Sequence, residues 1–596
     1  MTNGDKPKEQ PAGGEGGEEL EEKDRSLPDF PAPQADEVTA AAPPIERRLT
    51  PRTAAARAFD RSKGAAFLVG SGILLSRLAG LIRQTMMARY LGADFAADAF
   101  NAAFRIPNML QNLLGEGVLS ASFIPQYAGL LGKGDEEEAN RLAGAVAGML
   151  ALIASIIVLL GVITAPWLVA VIANGFTGEK RELTVRLTRI LFPGAGLLVF
   201  SAWCLGVLNS HRRFFMSYTA PVIWNAAMVA TLIFFHKGHT QAELATYLAI
   251  GSVVGSALQF GIQLPLVLRL ARGVRPRLTA ASESVRQVFR NFVPAFVGRG
   301  VVQISAYVDA WLASYLGNGA VSSFTYAQAI YVLPISLFGM AISAAELPAM
   351  SRAVGTTAEI GAYLRGRLSD GLDRIAYFIV PSSVALFALG DLIVHLLFES
   401  GRFNRGNTIW VWQILIGSSV GLLVSTMGRL YSSTFYAMRD TRTPLRYAIV
   451  RVILTTTLGY FFALVLPPML DLDRKLGAVG LTLSAGLAGW VEFYLLRRGI
   501  DQRIGRTRLV PSRMARLWGA ALVGAIIPWA YKLVIDRGGP LLSAHENAVH
   551  SKLTALLLLG LYGLTYLVVT AAFGIPEARN VIDRGRRLFR LASRTG

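Results

Sequence analysis

The stretch Glu116-Gly-Val-Leu-Ser-Ala-Ser-Phe-Ile-Pro125-Gln-Tyr-Ala returns in looser form as Gly339-Met-Ala-Ile-Ser-Ala-Ala-Glu-Leu-Pro348-Ala-Met-Ser, with the prolines 223 positions apart. Pro221 and Pro444 repeat the same interval, and Ala88-Arg-Tyr-Leu-Gly92 recurs as Ala313-Ser-Tyr-Leu-Gly317 at 225. Separate matches at one long interval mark an internal duplication. Each copy holds six apolar segments. Because six is even, both copies enter a bilayer from the same side, and the repeat is parallel. Paired halves of this kind enclose a site near the membrane midplane and rock against each other to expose it alternately.

The rest of the composition agrees with a membrane chain. Of 596 residues, 53% are hydrophobic and only 17% charged, with a mean hydropathy of +0.43. A soluble domain carries about a quarter charged residues, so a soluble enzyme with one large core is excluded. Spanning a bilayer takes about 20 apolar residues. Fourteen segments qualify, near 65–91, 97–130, 141–173, 184–210, 216–236, 243–271, 289–317, 321–350, 374–398, 408–437, 445–467, 477–497, 514–536 and 552–574. The expected class is an all-α membrane protein of about 14 transmembrane helices: two six-helix lobes (65–273 and 274–500) and two further helices within 501–574. A single cysteine, Cys204, excludes a disulfide framework and a thiolate metal site.

Charge is unevenly placed. The net charge is +19, yet residues 1–46 carry twelve acids against four bases and are rich in Gly and Pro. Such a segment cannot bury enough apolar surface to order itself and is expected to be a disordered acidic cytoplasmic tail. A basic juxtamembrane segment follows at 47–64, and a basic tail closes the chain at 575–596. Elsewhere the bases gather in alternate loops, among them His211-Arg212-Arg213, Arg272/Arg275/Arg277 and Arg439/Arg442/Arg446. The positive-inside rule then places these loops and both termini in the cytoplasm, and lipid headgroups, not nucleic acid, explain the bases.

Charges at bilayer depth are costly and mark functional sites. The first span carries Arg77, Arg83 and Arg89. Successive spacings of six rotate by 600°, so the three cannot share one helix face, whereas Ser76 and Arg83 do. Arg77 and Arg83, at mid-span, suit a water-filled cavity that receives an anion, because a guanidinium matches phosphate oxygens bidentately. Arg89, near the outer end, has a gating or structural role, as does Glu116. Asp98 can neutralise an arginine, gate the outer side or cap a helix. In the seventh span Arg299 and Asp309 stand about 80° apart around the axis, which leaves Asp309 free to hold a cation among oxygen ligands. Glu346, Arg429, Arg451 and Glu492 are each read as structural. The chain has no phosphate loop and no H-E-x-x-H, and no paired catalytic constellation supports an enzyme.

Ser76-Arg-Leu-Ala-Gly-Leu-Ile-Arg83, Ala88-Arg-Tyr-Leu-Gly92, Asp98-Ala-Phe100, Phe104-Arg-Ile-Pro-Asn108 and Glu116–Pro125 together resemble the MurJ (MviN) family. Gln303-Ile-Ser305, Tyr326-Ala327, Tyr436-Ala437 and Asp440-Thr-Arg-Thr-Pro444 extend the resemblance to roughly residues 65–575. It implies a two-lobe fold of the drug and oligosaccharide-lipid exporter superfamily. It also implies a flippase for lipid II, the undecaprenyl-pyrophosphate-linked precursor of peptidoglycan. By the same resemblance, Ser76, Arg77, Arg83 and Asp98 are substrate-binding cavity residues, and spans 13 and 14 form a groove for the lipid tail. Two positions depart from the family: Gln111 and Ala329 stand where arginines are usual, and Arg299 is the candidate to compensate. Some members hold sodium through an aspartate in the context matched by Ala306-Tyr-Val-Asp309, but the partner ligands are not evident around Thr455–Tyr460.

The function so implied is a transporter, not an enzyme, of the bacterial cytoplasmic (inner) membrane. It moves lipid-linked precursor from the inner to the outer leaflet by alternating access, with no cofactor beyond a sodium ion or the membrane potential as driving force. Its partners are the polyprenyl-pyrophosphate glycan, membrane lipids and cell-wall synthesis proteins. The rival readings are an exporter of another lipid-linked glycan and a non-transporting scaffold for cell-wall assembly.

Overall fold

The computed structural model describes residues 72, 74–114, 116–277, 283–508, 510–536 and 552–583. The acidic tail, the basic segment at 47–64 and residues 584–596 lie outside them, as do the side chains of Glu116 and Arg299. Eleven helices among the described residues are long and apolar enough to cross a bilayer. They are span 3 (Glu136–Ile172), span 4 (Gly178–Ser210), span 5 (Phe214–Phe235), span 6 (Gln241–Leu270), span 8 (Ala320–Ser351), span 9 (Thr357–Leu397), span 10 (Arg405–Ala437), span 11 (Arg442–Met469), span 12 (Arg474–Ile504), span 13 (Pro511–Asp536) and span 14 (Lys552–Ala572). Helices also occupy the other three expected positions: residues 74–91 (span 1), Phe95–Leu114 with Glu116–Gly132 (span 2), and Glu283–Ser314 (span 7). These three hold the charges that a hydropathy threshold penalises. No strand occurs among the described residues, as expected where hydrocarbon offers the backbone no hydrogen-bond partners.

The duplication predicted from sequence is visible in the packing. In the first lobe span 4 packs on spans 2, 3 and 6, and span 5 packs on span 6. In the second, span 10 packs on spans 8, 9 and 12, and span 11 packs on span 12. Adding six to each number maps one set onto the other. Small residues permit the closest approaches, since van der Waals packing rather than water exclusion drives helix association in lipid. Gly421 on span 10 and Gly486 on span 12 meet so closely that a Cβ on Gly421 would strike the Gly486 Cα.

Spans 13 and 14 pack on each other and against span 9. Pro381 removes an amide donor from span 9 and so orphans the carbonyl of Tyr377, four residues earlier. The Tyr566 hydroxyl of span 14 donates to that carbonyl at 2.7 Å, and Tyr562 donates to the Pro381 carbonyl at 2.7 Å. At one end Arg513 of span 13 joins Asp373 of span 9 at 3.2 Å and grips both carboxylate oxygens of Glu577 at 2.7 Å.

Two features depart from the sequence expectation. Span 9 begins at Thr357, well before residue 374, because its polar first turns still bury Leu364, Leu368 and Leu372 on one stripe. Spans 8 and 11 each contain a π-helical segment, Ile335–Met340 and Phe461–Val465, at positions no local motif announces.

Candidate functional site

Between the lobes lies a cavity of about 600 Å³. Span 1 supplies Ser76, Arg77, Gly80, Arg83 and Gln84 to its wall, span 5 supplies Ser217, Trp224 and Asn225, and span 8 supplies Thr325, Gln328 and Ala329. Both lobes therefore contribute, as a site shared by duplicated halves requires. Arg77 is exposed and Arg83 half-buried. The Arg83 guanidinium lies over the Trp224 ring at 4.8 Å and the Phe104 ring at 5.9 Å, with Nη1 3.7 Å from the Met228 sulfur. Aromatic faces attract the cation but leave its N–H groups unused. Arg83 Nε has no hydrogen-bond partner, and neither Arg77 nor Arg83 has a carboxylate in ion-pair range among the described residues. A cation withdrawn from water without a counter-ion is costly, so the wall presents uncompensated positive charge. Gln84 Oε1 and Asn225 Oδ1 are likewise buried without donors among the described residues.

Asp98 does not line the cavity. Its fully buried carboxylate accepts four hydrogen bonds, each 2.7 Å long: from Lys180 Nζ of span 4, from the Gly319 amide, and from the amide and hydroxyl of Ser322 at the start of span 8. It thus caps a helix, but the helix belongs to the opposite lobe, and its cationic partner is Lys180 rather than an arginine of span 1. Gly319, at φ 85°, is required here twice over, because a Cβ would also collide with the Ala93 carbonyl oxygen. Tyr326 Oη donates to the Gly92 carbonyl at 2.9 Å, and the Arg402 amide donates to the Arg89 carbonyl at 2.9 Å. This end of the molecule is clasped shut. Arg89 belongs to it, with its side chain exposed and its guanidinium 5.8 Å from the Tyr90 ring.

The structure therefore brings Ser76, Arg77 and Arg83 together and sets Asp98 apart. Ala329 lines the cavity, whereas Gln111 borders a small cleft inside the first lobe with Asn108 and Ser256. Asp309 lies in the second lobe with Oδ1 unpaired, and the charges of Arg105 and Arg451 act on it. Arg451 is held by Glu492 at 3.1 Å. Among the described residues no group of three His, Cys, Asp or Glu side chains is placed to hold a metal ion. Glu346, read as structural, pairs with Arg367 at 2.7 Å and Arg374 at 3.5 Å.

Sequence reasoning missed Lys180, Trp224, Asn225 and Gln84. Gln84 had a signal, a polar neighbour of Arg83 in an apolar span. The others became site residues only through contacts between helices distant in the chain.

A helical bundle of duplicated halves with an arginine-lined cavity between them is the architecture of a multi-pass membrane transporter. Residues 87–546 match the family model described as lipid II flippase MurJ. The chain belongs to this family. The lipid II flippase MurJ of Burkholderia cenocepacia is 32% identical over 469 residues, covering 77% of this chain and 88% of that one. Among solved structures, a lipid II flippase MurJ in an inward closed conformation superposes with a TM-score of 0.70 at 22% identity, covering 87% of this chain and 100% of that one. An inward-facing multidrug resistance MATE family transporter gives 0.58 at 18% identity, covering 73% of this chain and 98% of that one.

Proposed function

We propose that this multi-pass membrane protein moves lipid II from the inner to the outer leaflet of the bacterial cytoplasmic membrane by alternating access. The observation that carries this reading is the uncompensated Arg83 guanidinium, with Arg77 near the mouth, in a cavity between duplicated lobes. A pyrophosphate supplies the missing charge and the bidentate oxygens a guanidinium prefers. Sugar hydroxyls and peptide amides then meet Gln84 and Asn225. Charge bias places the termini in the cytoplasm, so the clasp at Asp98 closes the outer side while the cavity waits for substrate from within. Substrate can drive exchange only by binding the outward state better than this one. We assign the bias to the membrane potential acting on the arginines, since the positive charges of Arg105 and Arg451 act on Asp309 and compete with a cation there. The lipid tail stays in the bilayer or beside spans 13 and 14.

The test is to deplete the protein and ask which leaflet holds lipid II. Accumulation on the inner leaflet supports the reading, whereas viable cells with normal outer-leaflet lipid II reject it. A second reading, export of another polyprenyl-pyrophosphate glycan, is favoured by Ala329, which leaves the cavity wall uncharged where relatives of the family place arginine. Comparing the binding of lipid II with that of other polyprenyl-pyrophosphate glycans separates the two.

A further inference from the structure

Away from the cavity, spans 9, 10, 12 and 13 enclose an apolar groove of about 700 Å³, lined by Phe387, Trp412, Val420, Trp490, Leu522 and Trp529 among others. Two of its indole N–H groups are already spent on backbone carbonyls, Trp490 on Val420 and Trp412 on Phe387, both at 3.0 Å. What these side chains offer an occupant is therefore ring surface, which suits hydrocarbon. Trp490 connects the groove to a second feature. Leu487, Val491, Tyr494 and Arg498 succeed one another at spacings of four, three and four, so they share the helix face that Trp490 borders. Leu487, Trp490, Val491 and Tyr494 are all exposed on that face. It ends in a basic pocket of about 540 Å³ formed by Tyr494, Arg497, Arg498, Asp501, Gln502 and Arg506.

The charges in this pocket are not balanced. Asp501 is engaged by Arg497 at 3.6 Å and by the amide and hydroxyl of Thr507, each at 2.9 Å. Arg498 and Arg506 are exposed and have no ion-pair partner among the described residues. Three guanidinium groups thus meet one committed carboxylate at the end of a greasy track. Neither the pocket nor the groove shares a lining residue with the cavity that holds Arg83.

We infer that these two features form one binding site for an anionic glycerophospholipid of the cytoplasmic leaflet. Its phosphate sits among Arg497, Arg498 and Arg506, where guanidinium groups bind phosphate oxygens in pairs. Its acyl chains run past Tyr494 and Trp490 into the groove. A zwitterionic lipid fills the groove equally well but brings a cation to the arginines, so headgroup charge decides the preference. The bound lipid ties span 12 to spans 9, 10 and 13.

The full-length protein in neutral detergent with phosphatidylcholine tests this through quenching of tryptophan fluorescence by brominated acyl chains. Brominated phosphatidylglycerol should quench at a lower mole fraction than brominated phosphatidylcholine or brominated diacylglycerol. The preference should fall about fivefold for each of Arg498→Gln and Arg506→Gln. Trp490→Phe should reduce the quenched amplitude while leaving the preference in place. Inorganic phosphate, the probe for a free-anion site, should not displace the lipid at concentrations that leave ionic strength matched. Equal quenching by anionic and neutral lipids overturns the inference, as does a preference unchanged in the double variant, or displacement by phosphate alone. Misfolding is separated by the double variant's thermal transition and by its retained binding at Arg83. Failure there would speak to the fold, and retained Arg83 binding with lost lipid preference supports the site.

Discussion

Lys180 and Asp98 meet at 2.7 Å across the first lobe, and the same carboxylate caps the first turn of span 8 in the second lobe. One acid therefore holds three elements shut. Breaking a buried pair by removing one partner costs about 3–5 kcal/mol because the remaining charge is stranded. Asp98→Asn should open this end, so that a cysteine placed at the fully buried Ala320 alkylates at least about a hundredfold faster than in the unaltered background. An unchanged rate would show that the other contacts at this end suffice to close it.

Arg83 has no counter-ion among the described residues and stacks on Trp224. Arg83→Ala should weaken binding of lipid II to the purified protein about 10- to 100-fold, the range for a lost charged hydrogen bond. Arg83→Lys should recover part of this, since it restores charge but neither the planar stack nor the bidentate fork. Affinity equal to that of the parent in the alanine variant would remove the anion-binding reading of the cavity.

Ala329 lines the same cavity from span 8. Ala329→Arg should add a guanidinium to the opposite wall and tighten lipid II binding. If Arg299 supplies the compensating charge, it should also rescue flipping in an Arg299→Ala background. Calorimetry on the single variant and a leaflet assay on the double variant read the two outcomes, and no rescue counts against Arg299.

Asp309 stands under the charge of Arg451, which Glu492 holds in place. The melting temperature of the protein should be the same in sodium and potassium chloride at equal ionic strength. Arg451→Asn removes one of the two guanidinium charges that act on Asp309 and adds an oxygen ligand, so sodium should stabilise this variant over potassium more than it does the parent. Sodium-specific stabilisation of the unaltered protein would restore Asp309 as a metal ligand.

The loop between spans 10 and 11 carries a pH-sensitive anchor. Burial disfavours the Asp440 charge, but hydrogen bonds from Thr443 and the guanidinium of Arg503 at 2.7 Å outweigh it and hold the carboxyl far below its usual range. A depressed folded value means that the anchoring is fully present above the unfolded value near about 4 and is lost as pH falls towards the folded one. The protection of the Arg442 and Thr443 amides, the slowing of their exchange relative to an unstructured amide at the same pH, should therefore fall below about pH 4, and Asp440→Asn should leave that protection small at every pH.

How far the sequence carried this description depends on how local each feature is. Spans, their order and the parallel duplication were legible because hydropathy and a 223-residue interval are properties of the linear chain. Ser76 and Arg83 were legible as a pair because seven residues return a helix to nearly the same face. Asp98 was read as a cavity residue by resemblance, and its true partners were not visible because Lys180 lies 82 positions away and Ser322 lies 224 away. Nor could hydropathy extend span 9 back to Thr357, since those turns are polar on one face and buried on the other.

The sequence by itself determined that this chain is a multi-pass membrane protein, that it carries an internal repeat at a 223-residue interval, and that guanidinium groups interrupt its apolar first helix. Tertiary structure alone decided that Arg83 is without a counter-ion among the described residues while Asp98 is consumed by a clasp between the lobes. The physical reason is that the cost of a buried charge depends on which opposite charge the fold brings within a few ångströms, and that pairing is written in no single segment of the chain.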